Sequence, residues 1–248
     1  MNTFYIGLIS IALLSCADQP NQLVQVEGKQ IQITDSFEKD KEFEEFIAPY
    51  RERIEEEMEG VLAYTPKAMT KSDYKFNTPI GNMMADAVME IANPIFNKRT
   101  GNDIDLVILN YGGIRSGINA GDLTIRTAYD IMPFENEVAV AKLNSDEIHA
   151  LVNYLVKNKV AHPIAGLQVT LDADGNLKNA KVNGKQIQNI AYNVATSDYL
   201  IKGGDRMDFF KTAEEVHTLD YKLRNLFIDY FKLKDTITPV RDDRFIQL

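Results

Sequence analysis

Strands and helices are interspersed along this chain of 248 residues without a strict strand–helix–strand rhythm. That irregular order is its strongest constraint, because it points to an α+β domain of mixed sheets layered with helices rather than a doubly wound parallel sheet. A hydrophobic fraction of 45% supplies a full core. Ile80, Met83, Met84, Ala87, Val88 and Ile91 fall at i, i+3, i+4, i+7, i+8 and i+11, so one helix face is apolar and its methionines read as core. Asn77-Thr78-Pro79 precedes that helix, and Asn93-Pro94 is expected to end or kink it. Residues 105–109 then form a compact strand. Glu137 to Leu143, Leu167 to Leu171, Leu177 to Val182 and Ile190 to Ala195 read as further strands. The Asp172-Ala173-Asp174-Gly175-Asn176 run resembles a calcium loop, but Asn183 stands where the bidentate Glu is required, so it is a hairpin turn; Asn183-Gly184 makes the next. Asn144 with Glu147 opens a capped helix, and Tyr221 to Phe231 closes the domain as another.

The N-terminal region is different in kind. Phe4 to Leu14 is an apolar run too short to span a bilayer and sized for the core of a secretory signal. Leu13-Leu14-Ser15-Cys16 resembles a bacterial lipobox, although no Lys or Arg precedes the run and Leu14 is large for its position. Residues 1–15 are therefore expected to be a lipoprotein signal peptide. Cys16, the one cysteine, is the expected lipidation site and membrane anchor in the cell envelope, periplasmic or surface-facing. Residues 16–34 follow as a polar tether and, over Leu23 to Thr34, a short hairpin; the main domain spans 35–248. Asp35 or Ser36 is expected to cap a helix reaching about Gly60, which Pro49 kinks or splits.

The formal charge of −9 argues against a nucleic-acid backbone as partner. It does not exclude a small anion, whose binding is decided by local donors. Two glycine turns offer them. The strand at 105–109 runs into Asn110-Tyr111-Gly112-Gly113-Ile114-Arg115, where two positions free of Cβ let backbone N–H groups approach an anion and Arg115 adds a planar donor. Val194 to Leu200 likewise runs into Gly203-Gly204-Asp205, with Tyr199 just before the turn and Asp205 suited to ribose hydroxyls. Pro133-Phe134-Glu135-Asn136 places another aromatic in a loop at a strand start. Two rings, an amide, a guanidinium and a carboxylate are the parts that hold a base and its ribose.

These segments carry a resemblance. Gly81-Asn82-Met83-Met84-Ala85-Asp86-Ala87, Asn110 to Arg115, Gly121-Asp122-Leu123-Thr124, Pro133 to Asn136, Gly166-Leu167-Gln168-Val169 and Tyr199 to Asp205 occur in order. Together they resemble the C-terminal domain of 5'-nucleotidases and UDP-sugar hydrolases, over about residues 35–248. The resemblance implies that family's α/β/β/α-like fold and a substrate site made of Asn110, Gly112, Gly113, Arg115, Phe134, Asn136, Gly166, Tyr199, Gly203, Gly204 and Asp205. In it Phe134 and Tyr199, the latter replacing a more usual Phe, sandwich the base. Asn110 and Arg115 reach polar groups, Asp205 holds the ribose and Asn136 contacts the base edge.

Two departures accompany it. Ser72-Asp73-Tyr74-Lys75-Phe76 lacks the Arg that relatives often carry before the Gly-Asn helix, leaving Lys75 as its candidate substitute. Full-length members also begin with a metallophosphoesterase domain whose Asp, Asn and His clusters hold two metals. Here His149, His162 and His217 stand apart and read as surface or cap residues. The expectation is a chain with no catalytic residues and no cofactor of its own: the nucleotide-binding subunit of a split 5'-nucleotidase. A separately encoded metallophosphoesterase would bring two divalent metals. The alternative is a stand-alone envelope nucleoside-binding protein.

Overall fold

The computed structural model describes residue 23 and residues 25–248. The apolar leader, Cys16 and the segment up to Gln22 lie outside the described residues. The chain divides into two units, Met1–Ala48 and Pro49–Leu248. In the first, residues 25–34 form no strand and all are exposed. The hairpin expected there is not made. Alternating residues with nothing to cover their apolar face cannot hold a two-stranded ribbon in water. Helix α1, Lys41–Met58, starts behind Asp40, whose Oδ1 accepts the Phe43 N–H at 3.0 Å, and not at Asp35 or Ser36. It keeps Pro49 in its interior as one element.

The second unit begins within α1 and continues with β1, Val61–Thr65, and helix α2, Pro79–Thr100. Thr78 is extended and accepts the Gly81 N–H, while Pro79 occupies the first turn, where a missing N–H costs nothing. The helix does not stop at Asn93-Pro94. It runs through Pro94 to a left-handed Gly101, because Phe96 beyond the proline is buried and its packing outweighs the lost hydrogen bond. Then follow β2, Leu106–Ile108; β3, Gly121–Thr124; α3, Ile125–Ile131; and β4, Glu137–Leu143. Helix α4, Ser145–Asn158, begins with the Asn144/Glu147 capping box read from the sequence. Next come β5, Ile164–Ala165; β6, Leu167–Leu171; β7, Leu177–Val182; β8, Lys185–Gln186; and β9, Tyr192–Ser197. The chain ends with α5, Asp198–Ile201; β10, Glu215–Lys222; α6, Leu223–Leu233; and β11, Phe245–Gln247.

A five-stranded sheet in the order β10-β4-β9-β2-β5 forms the centre of this unit. Its β9–β2 pair is parallel and its other pairs are antiparallel. Successive residues of a strand face opposite sides, and both sides here are covered. Val107, Val138, Val140 and Ala195 face a core shared with α2 and α6. Leu106, Ile108, Ala141 and Val194 face a second core shared with α4, Leu167, Val169 and Phe245. Burial on both faces is why these strands read as continuous apolar runs. A four-stranded sheet, β11-β6-β7-β8, contributes to the second core, and β1 pairs with β3. The mixed α+β class expected from the sequence is the one observed. Among the described residues no helix is long and apolar enough to cross a membrane.

Candidate functional site

Sheet topology brings three loops to one end. Because β2 and β9 are parallel neighbours, their following segments, Asn110 to Arg115 and Asp198 to Asp205, leave from the same edge. Strand β4 is antiparallel to β9, with Val138 opposite Ser197, so the Phe134 loop that precedes it arrives there too. The C-terminal ends of parallel strands are where open sheets usually receive ligands.

A cavity of ≈ 370 Å³ lies at this edge, within the size range of small-molecule sites. Eight of the eleven residues expected at the site line it: Asn110, Gly112, Gly113, Arg115, Phe134, Asn136, Tyr199 and Asp205. Leu109, Met132, Ser197 and Leu223 complete the wall. Neither ring is sunk in the core, since Phe134 is 42% and Tyr199 44% exposed. The Arg115 guanidinium carbon sits 5.7 Å from the Phe134 ring centroid.

Three expected residues lie elsewhere. Gly166 has φ +70°, and a Cβ there would stand 2.3 Å from the Asp105 carbonyl oxygen, so it is glycine for a close backbone approach outside the cavity. Gly203 turns the chain at φ +84°. Gly204 lies under the Tyr199 ring, whose Cε1 would be 2.4 Å from an added Cβ. Lys75 is not at the cavity either. Its ammonium sits 4.9 Å from the centroid of Phe76, which packs on Phe245. Lys71 is the cation beside the first glycine turn, donating to the Ile114 carbonyl at 2.9 Å and lying 4.8 Å from the Tyr111 ring centroid.

The first turn is a single 3₁₀ turn, Tyr111–Gly113. Gly113 leaves room for the Asn110 side chain, whose Oδ1 would be 2.7 Å from a Cβ at that position. Asn110 Nδ2 then reaches Asp205 Oδ2 at 2.7 Å. The expected anion-binding backbone is largely committed internally. The N–H groups of Gly113, Ile114 and Arg115 donate to Asn110, Tyr111 and Ile131 carbonyls. That of Tyr111 donates to His162 Nδ1 at 3.2 Å. His162 is therefore not a surface or cap residue: it is 6% exposed, and burial pushes its pKa down, favouring the neutral ring that can accept. With those groups committed, the cationic side chain that lines the cavity is Arg115.

The Phe134 loop is held by residues the sequence reading did not single out. Leu223 N–H donates to the Asn136 carbonyl, and Arg224, 6% exposed, donates to the Pro133 carbonyl at 3.1 Å and pairs with Glu135. The Arg224 guanidinium also stacks over Tyr129 at 4.0 Å. Asp198 joins the two ring-bearing loops, accepting from Asn136 Nδ2 at 3.3 Å and Glu137 N–H at 3.1 Å one residue before Tyr199. Burial pushes the Asp198 carboxyl up, but the Glu137 N–H and Lys202 outweigh it and the net shift is downward.

Lys222 and then Arg224 hold the Glu135 carboxyl down at about 2, against an ordinary 4.5. Since the folded value lies below the unfolded one, this pairing contributes fully above pH 4.5 and is lost as the pH falls toward about 2. Glu135→Gln is expected to flatten the acid arm of the melting temperature across that window. Added salt should do the same, because the carboxylate is exposed. Parallel melting curves for wild type and variant would contradict this.

The sequence profile described as "5'-nucleotidase, C-terminal domain" matches residues 60–212. The chain belongs to the 5'-nucleotidase C-terminal domain family. It is 25% identical over 208 residues to a 5'-nucleotidase of Vibrio cholerae, covering 81% of this chain and 36% of that one. A 5'-nucleotidase of Vibrio vulnificus is 26% identical, with 73% and 33% covered. The chain thus spans about a third of the length of these relatives. Among solved structures, a 5'-nucleotidase precursor from Thermus thermophilus superimposes with a TM-score of 0.69 at 21% identity, covering 83% of this chain and 43% of that one. A putative 5'-nucleotidase from Staphylococcus aureus gives 0.66 at 15% identity, with 87% and 45% covered. At these identities the structural likeness establishes the fold of the family's C-terminal domain. Among the described residues no three His, Cys, Asp or Glu side chains converge as a metal site would require.

Proposed function

We infer that this chain binds the nucleoside part of a nucleotide for a 5'-nucleotidase whose phosphate-ester chemistry is done elsewhere. The base lies between Phe134 and Tyr199, the ribose meets Asp205, and Arg115 and Asn110 meet the remaining polar groups. A metallophosphoesterase carried on a separate chain docks on this one and holds two divalent metals, whose contribution there would be activation of water and neutralisation of phosphoryl charge. Acylation of Cys16 holds the chain at the cell envelope.

One observation carries the reading. In a member of this family, two exposed rings, a guanidinium and a carboxylate from three separate loops line a single cavity. Titration of the full chain with AMP, adenosine and UDP-glucose by calorimetry is expected to show binding of at least one of them, and a metallophosphoesterase is expected to co-purify with the native protein. No heat from any of the three would end the nucleoside assignment. Binding with no such partner recovered would instead make the chain a stand-alone nucleoside receptor.

A further inference from the structure

Asp205 is held in place more firmly than a residue at an exposed turn requires. It and Arg206 take consecutive left-handed conformations, φ 51° and 62°, which non-glycine residues seldom adopt and which persist only when their surroundings over-determine them. Two tyrosine hydroxyls provide that determination. From α4, the Tyr154 hydroxyl donates to the Asp205 carbonyl at 3.0 Å. From α5, the Tyr199 hydroxyl accepts the Asp205 N–H at 3.3 Å and donates to Oδ1 at 3.0 Å. The two peptide groups that flank the Asp205 Cα are thus each braced, one at its N–H and the other at its carbonyl. The Tyr154 ring is itself seated, 5.4 Å from His162 and 5.9 Å from Phe209.

The side chain is fixed as well. Asn110 Nδ2 occupies one position on Oδ2, and Tyr199 occupies one on Oδ1. An ionised carboxylate offers about four acceptor positions, so one remains on each oxygen. Both lie in the carboxylate plane, which cannot rotate without breaking a bond to Asn110 or Tyr199. Such a pair is matched by two donors on neighbouring atoms, as in a cis-diol, and is half-used by a ligand carrying only one.

We propose that Tyr154 and Tyr199 are positioning residues whose hydroxyls lock Asp205 as a two-point acceptor, and so set a preference for ribonucleosides over 2'-deoxyribonucleosides. This rests on the nucleoside reading above. It gives the Tyr199 hydroxyl a role separate from that of its ring, and it assigns one to Tyr154, which does not line the cavity.

The test compares adenosine with 2'-deoxyadenosine on the full chain, by calorimetry, for wild type, Tyr199→Phe, Tyr154→Phe and the double variant. Wild type is expected to favour adenosine by roughly tenfold, the scale of one hydrogen bond to a charged group. Tyr199→Phe keeps the ring but should lose most of that ratio, by weakening adenosine while leaving 2'-deoxyadenosine nearly unchanged; the double variant should abolish it. A general loosening of the fold would weaken both ligands together and leave the ratio intact. An unchanged ratio in the double variant, or equal affinities in wild type, overturns the inference while leaving the nucleoside site standing. Failure of wild type to bind either ligand overturns both.

Discussion

Replacing Phe134 by Ala should weaken nucleoside binding by about 1–3 kcal/mol, roughly five- to 150-fold in affinity, the contribution of stacking one base on one ring. The fold should barely notice. The ring is 42% exposed, so little buried area is lost. The loop backbone is held independently of it, through Leu223 N–H on the Asn136 carbonyl and Arg224 on the Pro133 carbonyl. Arg115 loses the ring beneath its guanidinium, which at an exposed position matters by a fraction of a kcal/mol to about 1. The two readouts therefore separate, with affinity dropping in calorimetry while the melting temperature holds. Tyr199→Ala would be a poorer test, because its hydroxyl also ties Asp205 and its ring covers Gly204. A Phe134→Ala protein that binds nucleoside as tightly as wild type would remove the stacking surface from the proposed site.

The strands at Glu137–Leu143, Leu167–Leu171 and Leu177–Val182 were legible residue by residue, because each couples an apolar period to a turn or cap of recognisable chemistry. The same logic misled at residues 25–34, where alternation is present but nothing covers it. At Pro94, of the two outcomes expected there, a stop or a kink, the stop is overridden by the burial of Phe96. Strand β10 went unseen because, Leu219 apart, its residues are exposed or half-buried and give no clear alternation, and its place is set by pairing with β4. At the site, residues beside glycine turns were readable, since a Gly pair announces a close approach. Those that hold the site were not. Arg224 acts on Pro133 across 91 positions, Asp198 on Asn136 across 62 and Tyr154 on Asp205 across 51. No local pattern distinguishes such an Arg, Asp or Tyr from its solvent-facing or core neighbours, because their function is a pairing that only the folded sheet creates.

Gly166 shows how a residue of a family-like motif can lie outside the cavity, and its substitution should be the most damaging to stability. At φ +70° an alanine is strained by about 1–2 kcal/mol. Its Cβ would also stand 2.3 Å from the Asp105 carbonyl oxygen and 3.1 Å from Leu106 Cα. Both are backbone atoms at the entry to β2, the strand whose end carries Asn110, and neither can swing aside as a side-chain tip would. Relief requires moving β5 and β2 apart, at about 1–3 kcal/mol more by the usual cost of overpacking. Gly166→Ala is therefore expected to lose about 3 kcal/mol in a denaturant titration, and about 6–12 °C in melting temperature for a domain of this size. Nucleoside affinity of the folded protein, measured well below that transition, should stay within about twofold of wild type, a difference under 0.5 kcal/mol. The opposite pattern, full stability with affinity lost, would return Gly166 to the binding site and require the cavity to extend to the β5–β6 turn.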